Sequence, residues 1–209
     1  MSKQNEKAQT KELKILLLGD SGVGKTSIFQ RYFEKKYKDN LSATVGVDFV
    51  TKEVKYKNDK YIIHIFDTAG QERFKSITSS YYNLSDYFFV VFDLTNENSL
   101  IAIPNWIQEL KETKENPKYI ILGNKDDLKN IQISDEKIKE VLDKLDIIKI
   151  NNEQFIRVSA KSGKNIEKAF NTMIDLSNDN ININENIENT SVKLITQNNL
   201  KQKKKMGCC

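Results

Sequence analysis

The octet Gly19-Asp-Ser-Gly-Val-Gly-Lys25-Thr26 follows directly on the apolar run Leu13-Lys-Ile-Leu-Leu-Leu18 and leads into an amphipathic stretch. In this position its pattern, G-x-x-x-x-G-K-[ST], reads as a phosphate-holding backbone course between a strand and a helix of an α/β layered domain, rather than as a chance glycine turn before a helix. The glycines let successive N–H groups turn inward, the following helix presents its positive end, Lys25 adds a compact cation and Thr26 a hydroxyl. A loop of this kind holds phosphate oxygens and a divalent cation.

Two further short apolar runs, Tyr87–Phe92 and Tyr119–Leu122, read as strands covered on both faces of a parallel sheet. Between the strands, apolar residues spaced by three and four predict helices over Lys25–Tyr37, Asn98–Lys114 and Ser134–Leu145, the last opened by Ser134 as a cap. Val47–Tyr56 and Tyr61–Phe66 read as an antiparallel hairpin at a sheet edge, joined across residues 57–60. A strand over Glu153–Val158 and a helix over Ile166–Leu176 complete the alternation. Trp106 on its helical stripe and His64 on its strand read as packing residues without a chemical role.

With 209 residues the chain has room for one domain and some surplus, and apolar residues, at 38%, are too few for a core along its whole length. The surplus is assigned to residues 1–10, a short polar extension, and to 178–209, an Asn-rich disordered tail, leaving 11–177 as the folded domain. Cys208 and Cys209 are the only cysteines and are adjacent, so no disulfide framework is expected and a reducing compartment fits. No stretch reaches the ~18 uncharged apolar residues of a membrane span.

Lysine and arginine (33) exceed aspartate and glutamate (29) by four, and four lysines, Lys201, Lys203, Lys204 and Lys205, lie in the acid-free last nine residues. A basic end on an otherwise balanced chain points to an anionic surface, and argues against nucleic acid, which would be met by a basic folded face.

Asp67 closes the strand Tyr61–Phe66, where a carboxylate can reach the cation of the phosphate loop, and Gly70 supplies an N–H that can sense a terminal phosphate. Asn124-Lys125-Asp126-Asp127 follows the strand Tyr119–Leu122 on the rim where open α/β sheets bind ligands. Guanine presents an N1–H and a 2-amino group side by side, which one carboxylate can accept together. Adenine has no such pair, and Asp127 is the expected acceptor.

These pieces, with Thr44-Val-Gly-Val-Asp-Phe49, Asp67-Thr-Ala-Gly-Gln-Glu-Arg-Phe74, Tyr81-Tyr82 and Ser159-Ala160-Lys161, come in an order that resembles the Rab family of Ras-superfamily small GTPases over residues 11 to about 177. The resemblance implies a six-stranded, mainly parallel sheet with one antiparallel edge strand and helices on both faces. It implies nucleotide contacts from Asp20, Ser21, Gly22, Val23, Gly24, Lys25, Thr26 and Ser27, from Tyr37 against the guanine, from Thr44 and Gly70, and from Asn124, Lys125, Asp127, Ser159, Ala160 and Lys161. In that frame Ala160 offers its N–H to the guanine carbonyl oxygen. GTP or GDP is the ligand, Mg²⁺ the cofactor held by Thr26, Thr44 and Asp67, and Gln71 orients the attacking water.

Phe49, Phe66 and Tyr81 would form an effector-binding aromatic patch, with Phe66 standing where the family usually has tryptophan. Asn83-Leu-Ser-Asp-Tyr87 also departs from the family's usual Arg-x-Ala-x-Gly. The terminal Cys208-Cys209 resembles the family's signal for geranylgeranylation. The implied partners are effectors, an exchange factor, a GTPase-activating protein, a GDP-dissociation inhibitor and the prenylation machinery, acting on a monomer at the cytoplasmic face of an intracellular membrane. A phosphate-loop kinase or ATPase, a scaffold locked in one nucleotide state, and another Ras-superfamily branch stay open; preference for ATP, absent exchange, or unmodified cysteines would mark them respectively.

Overall fold

A computed structural model of the chain describes residues 10–38, 47–68, 75–145 and 155–178. The chain divides into two compact units, Met1–Met173 and Ile174–Cys209; of the second, residues 174–178 are described and are helical. The first unit runs β1 (Thr10–Leu18), α1 (Lys25–Glu34), β2 (Val47–Tyr56), β3 (Asp59–Thr68), α2 (Lys75–Leu84), β4 (Tyr87–Asp93), α3 (Glu97–Ile101), α4 (Ile103–Thr113), β5 (Lys118–Asn124), α5 (Asp135–Asp143) and β6 (Phe155–Arg157). Residues 166–173 form a further helical stretch.

The six strands lie in the order β2-β3-β1-β4-β5-β6. Every pairing is parallel except that of β2 with β3, which places the antiparallel strand at the edge as the sequence predicts. Successive side chains of the central strands point to opposite faces, and both faces are dry. Leu16, Leu18, Phe88, Val90 and Phe92 pack with Tyr82 of α2, Ile103, Ile107 and Leu110 of α4 and Ile138 of α5. The alternate residues Ile15, Leu17, Phe89 and Val91 are equally buried. There Phe170 packs edge-on against Phe89 and stacks on Tyr32 of α1, ring centres 3.6 Å apart.

Local departures from the sequence reading have local causes. The first helix stops at Glu34 rather than Tyr37 because Lys35 takes a left-handed conformation (φ 57°), a common helix terminator. The stretch expected as one helix from Asn98 to Lys114 is two. Pro104 has no N–H to give Leu100, so α3 ends and the Ala102 carbonyl starts α4 by accepting from Asn105 and Trp106. The hairpin turn is tighter than expected: Tyr56 pairs with Asp59, leaving Lys57 and Asn58 as the connection, with Lys57 at φ 54°. The described strand of the last pair begins at Phe155, and residues 151–154 lie outside the described residues.

Ser134 caps α5 by accepting the Lys137 N–H at 3.2 Å. Ser134→Ala is expected to cost about 1 kcal/mol, seen as a fall of about 2–4 °C in melting temperature; an unchanged melt would mean that water replaces the cap. Among the described residues no helix is long and apolar enough to cross a membrane.

Candidate functional site

The carboxyl ends of the parallel strands form one rim; the loops leaving β1, β5 and β6 open there, and β3 ends there. The first of these is the glycine-rich loop. Gly19 (φ 132°) passes so close to β4 that a Cβ on it would stand 2.1 Å from the Val91 carbonyl oxygen. Gly22 (φ 77°) and Gly24 (φ 96°) also need positive φ, and Gly24 precedes α1 without a side-chain cap on that helix. Lys25 is buried, and its Nζ spans the loop to donate to Gly19 O at 2.7 Å and Asp20 O at 2.9 Å. Burial pulls the ammonium down to about 8, against the charges of Asp67 and Asp20. Such a group is poised for an anion, whose charge would favour its protonated form.

Asp67 near the end of β3 is fully buried, and apart from the nearby Thr26 hydroxyl no donor approaches its carboxylate oxygens. Burial pushes its carboxyl up to about 6, while the Thr26 hydroxyl and the Lys25 charge act the other way and Asp48 adds to the rise. A buried carboxylate with so few donors around it is costly. Hard oxygens from Asp67 and Thr26 beside a phosphate loop form the kind of partial donor set that Mg²⁺ completes with water and phosphate oxygens. Among the described residues no group of three or more His, Cys, Asp or Glu is gathered for a metal, as a dedicated all-protein cage would require. Thr44, Gly70 and Gln71 lie outside the described residues.

Asn124, almost fully buried, joins two loops: its Nδ2 donates to Val23 O in the phosphate loop at 2.8 Å, and its Oδ1 accepts the Ala160 N–H at 3.2 Å. That N–H, expected to face a guanine carbonyl, is thus engaged with Asn124 at the long end of hydrogen-bond distance. The two adjacent aspartates divide sharply. Asp126 is paired with Arg157 (3.3 Å) and Lys164 (2.6 Å), whereas Asp127 is exposed on the rim with its Oδ1 accepting from the Ser159 hydroxyl at 2.6 Å. Lys125, left-handed at φ 68°, forms an ion pair with Asp93 at 2.6 Å. Asp93 at the end of β4 also accepts from the Thr95 N–H and hydroxyl, a role that its place after an apolar run does not announce.

Trp106 is half-buried on α4 as its stripe predicts, but it also donates its indole N–H to Asp20 Oδ1 of the phosphate loop at 2.8 Å. Tyr37 has cations near its ring from Arg31 (5.9 Å) and Lys161 (6.0 Å). Phe49, Phe66 and Tyr81 form a continuous strip, with ring centres 5.1 Å and 5.3 Å apart. Phe49 is 55% exposed, the most exposed of the large apolar residues described. His64 stacks on Phe49 and shares a hydrogen bond with Thr51. Within the departure from the family pattern, α2 ends at Leu84, Ser85 is buried, and the Asp86 N–H donates to Lys14 O at 2.9 Å, so the chain turns at once into β4.

Residues 14–179 match the model of the Ras family. The chain is 37% identical over 177 residues to the Ras-related protein Rab-27B of Homo sapiens, covering 78% of each chain. It is 36% identical over 208 residues to the Ras-related protein Rab-7b of Paramecium octaurelia, covering 97% of this chain and 99% of that one.

Proposed function

The chain belongs to the Ras family of small GTPases, in its Rab branch, and from that premise we propose that it is a membrane-tethered GTP/GDP switch of vesicle or organelle traffic. The observation that supports this most directly is the Asn124 bridge, which brings the loop of buried Lys25 and the loops of Asp127 and Ser159 to one rim. A single nucleotide along that rim would meet the first loop with its phosphates and the others with its base.

In this reading main-chain N–H groups of residues 20–27 and the Lys25 ammonium hold the phosphates. Thr26, Asp67 and Thr44 would hold Mg²⁺, which when bound neutralises phosphate charge. Asp127 accepts the guanine N1–H and 2-amino group. Thr44 and Gly70 contact the γ-phosphate only when it is present, and that difference is what two conformations can be built on. Gln71 orients the attacking water, and an arginine from an activating partner would add a factor of ~10³–10⁵. Phe49, Phe66 and Tyr81 face effectors in the GTP state. The smaller ring of Phe66 reduces the stacking area relative to tryptophan.

Residues 178–209 then act as tether. Their r.m.s. span would be about 30 Å and their full reach about 100 Å. Lipids on Cys208 and Cys209 with the lysines beside them supply the two signals that stable anchoring takes. Exchange factor, activating protein, effectors and a dissociation inhibitor that hides the lipids complete the cycle.

Protein purified without added nucleotide and then heat-denatured should release guanosine nucleotide in near-stoichiometric amount. Release of adenosine nucleotide would overturn the reading in favour of an ATPase or kinase. Gln71→Leu should slow single-turnover hydrolysis by about tenfold or more, leaving GTP on the protein; equal rates in wild type and variant would remove Gln71 from the mechanism.

A further inference from the structure

Arg31, half-buried on α1, crosses to the loop after β6. Its Nε donates to Ala160 O at 2.6 Å, its Nη2 to Lys161 O, and its Nη1 to Lys35 O at 3.1 Å, where α1 ends. One planar cation therefore holds three main-chain carbonyls and also stands 5.9 Å from the Tyr37 ring centre.

The contacts continue in one direction. The peptide that gives its Lys161 carbonyl to Arg31 gives its Ser162 N–H to Ser159 Oγ at 3.0 Å. Because Ser159 Oγ accepts there, its own proton is directed to Asp127 Oδ1 at 2.6 Å. A fixed guanidinium at one end thus sets the rotamer of a carboxylate at the other through one rigid peptide and one hydroxyl. α1 itself starts at Lys25 on the phosphate loop, so the same helix carries both the phosphate contact and the anchor of the base-facing loop.

We propose that Arg31 is a positioning residue for purine recognition: through Lys161 and Ser159 it orients Asp127, and through α1 it fixes the distance between base and phosphates. The inference rests on the reading of this rim as a guanine-nucleotide pocket. Lysine cannot replace arginine here, since a point charge on a flexible stem cannot hold three carbonyls in a fork.

The test is binding of guanosine diphosphate and of inosine diphosphate, which lacks the 2-amino group, to the full chain with Mg²⁺ present. Wild type should prefer guanosine over inosine because Asp127 accepts two donors from one and a single donor from the other. In Arg31→Lys and Arg31→Ala, dissociation of guanosine diphosphate should accelerate by about tenfold and the guanosine-to-inosine preference should fall towards one. Ser159→Ala should lower the same preference with Arg31 intact, and the double variant Arg31→Lys/Ser159→Ala should be no worse than the poorer single one. A purely structural Arg31 would weaken both nucleotides equally and leave the preference unchanged, which overturns the inference while the pocket reading stands. If wild type itself fails to prefer guanosine over adenosine diphosphate, the pocket reading fails first. Arg31→Lys keeps the charge and the stem, so folding, checked by its melting curve, is retained for the comparison.

Discussion

Asp127→Asn is expected to weaken guanosine diphosphate binding by about three orders of magnitude and to create affinity for xanthosine diphosphate. The carboxylate offers acceptors only, matching the two adjacent donors of guanine. An asparagine amide presents one acceptor and one donor, so its N–H₂ meets the guanine 2-amino group donor to donor, and a charge-assisted pair becomes a mismatch. Losing a hydrogen bond to a charged group costs about 1.5–3 kcal/mol, and leaving a donor facing a donor adds to it. Sites built around such pairs discriminate by ~10⁴–10⁵. Xanthine replaces the amino group with a carbonyl, which the asparagine N–H₂ can satisfy. The neighbouring aspartate is the internal control: Asp126 is held by Arg157 and Lys164, so Asp126→Asn should lower the melting temperature while base choice stays as it is. Calorimetry with guanosine, xanthosine and adenosine diphosphates separates these outcomes, and unchanged guanosine affinity in Asp127→Asn would exclude this residue as the base acceptor.

The strands were the most legible part of the fold, because parallel strands buried on both faces must be apolar nearly throughout and little else in this chain is. Helices were legible where an apolar stripe existed. α2 was not foreseen: its Ser76, Thr78, Ser79 and Ser80 are weak helix formers, and the helix is held from outside by Tyr82, fully buried, with its hydroxyl donating to Glu109 of α4. The break at Ala102 was readable in principle from Pro104, yet the apolar spacing runs straight through it.

In the site, motifs name the candidate residues for chemistry but not the residues that hold them in place. Asp93 ends an ordinary strand, Trp106 sits on an ordinary stripe and Arg31 on an ordinary polar face; only the fold brings them to Lys125, Asp20 and Ala160. Contacts separated by 86 or 129 residues leave no local signature in a single sequence. Asp67 shows the reverse case, since a motif names the residue and the structure shows it fully buried with only the Thr26 hydroxyl and the Lys25 charge to favour its ionised form.

Gly19→Ala should be among the most damaging single-methyl changes in the chain, and Gly22→Ala among the milder ones in the same loop. Both positions have positive φ, so each alanine pays the left-handed penalty of about 1–2 kcal/mol. They differ in what the methyl meets. At Gly22 no atom lies within 4 Å of the added carbon, whereas at Gly19 the carbon would stand 2.1 Å from the Val91 carbonyl oxygen, main chain in the middle of the sheet. No rotamer change relieves a backbone contact, so β1 and β4 must separate or the loop must leave its course. Separation would disturb Leu17 and Leu18, paired with Phe89 and Val90 and fully buried. About 4 kcal/mol or more is expected for Gly19→Ala, equivalent to about 8–16 °C or more in melting temperature, against about 2–8 °C for Gly22→Ala. Similar melting temperatures for the two variants would mean that the close approach of the phosphate loop to β4 does not limit this fold.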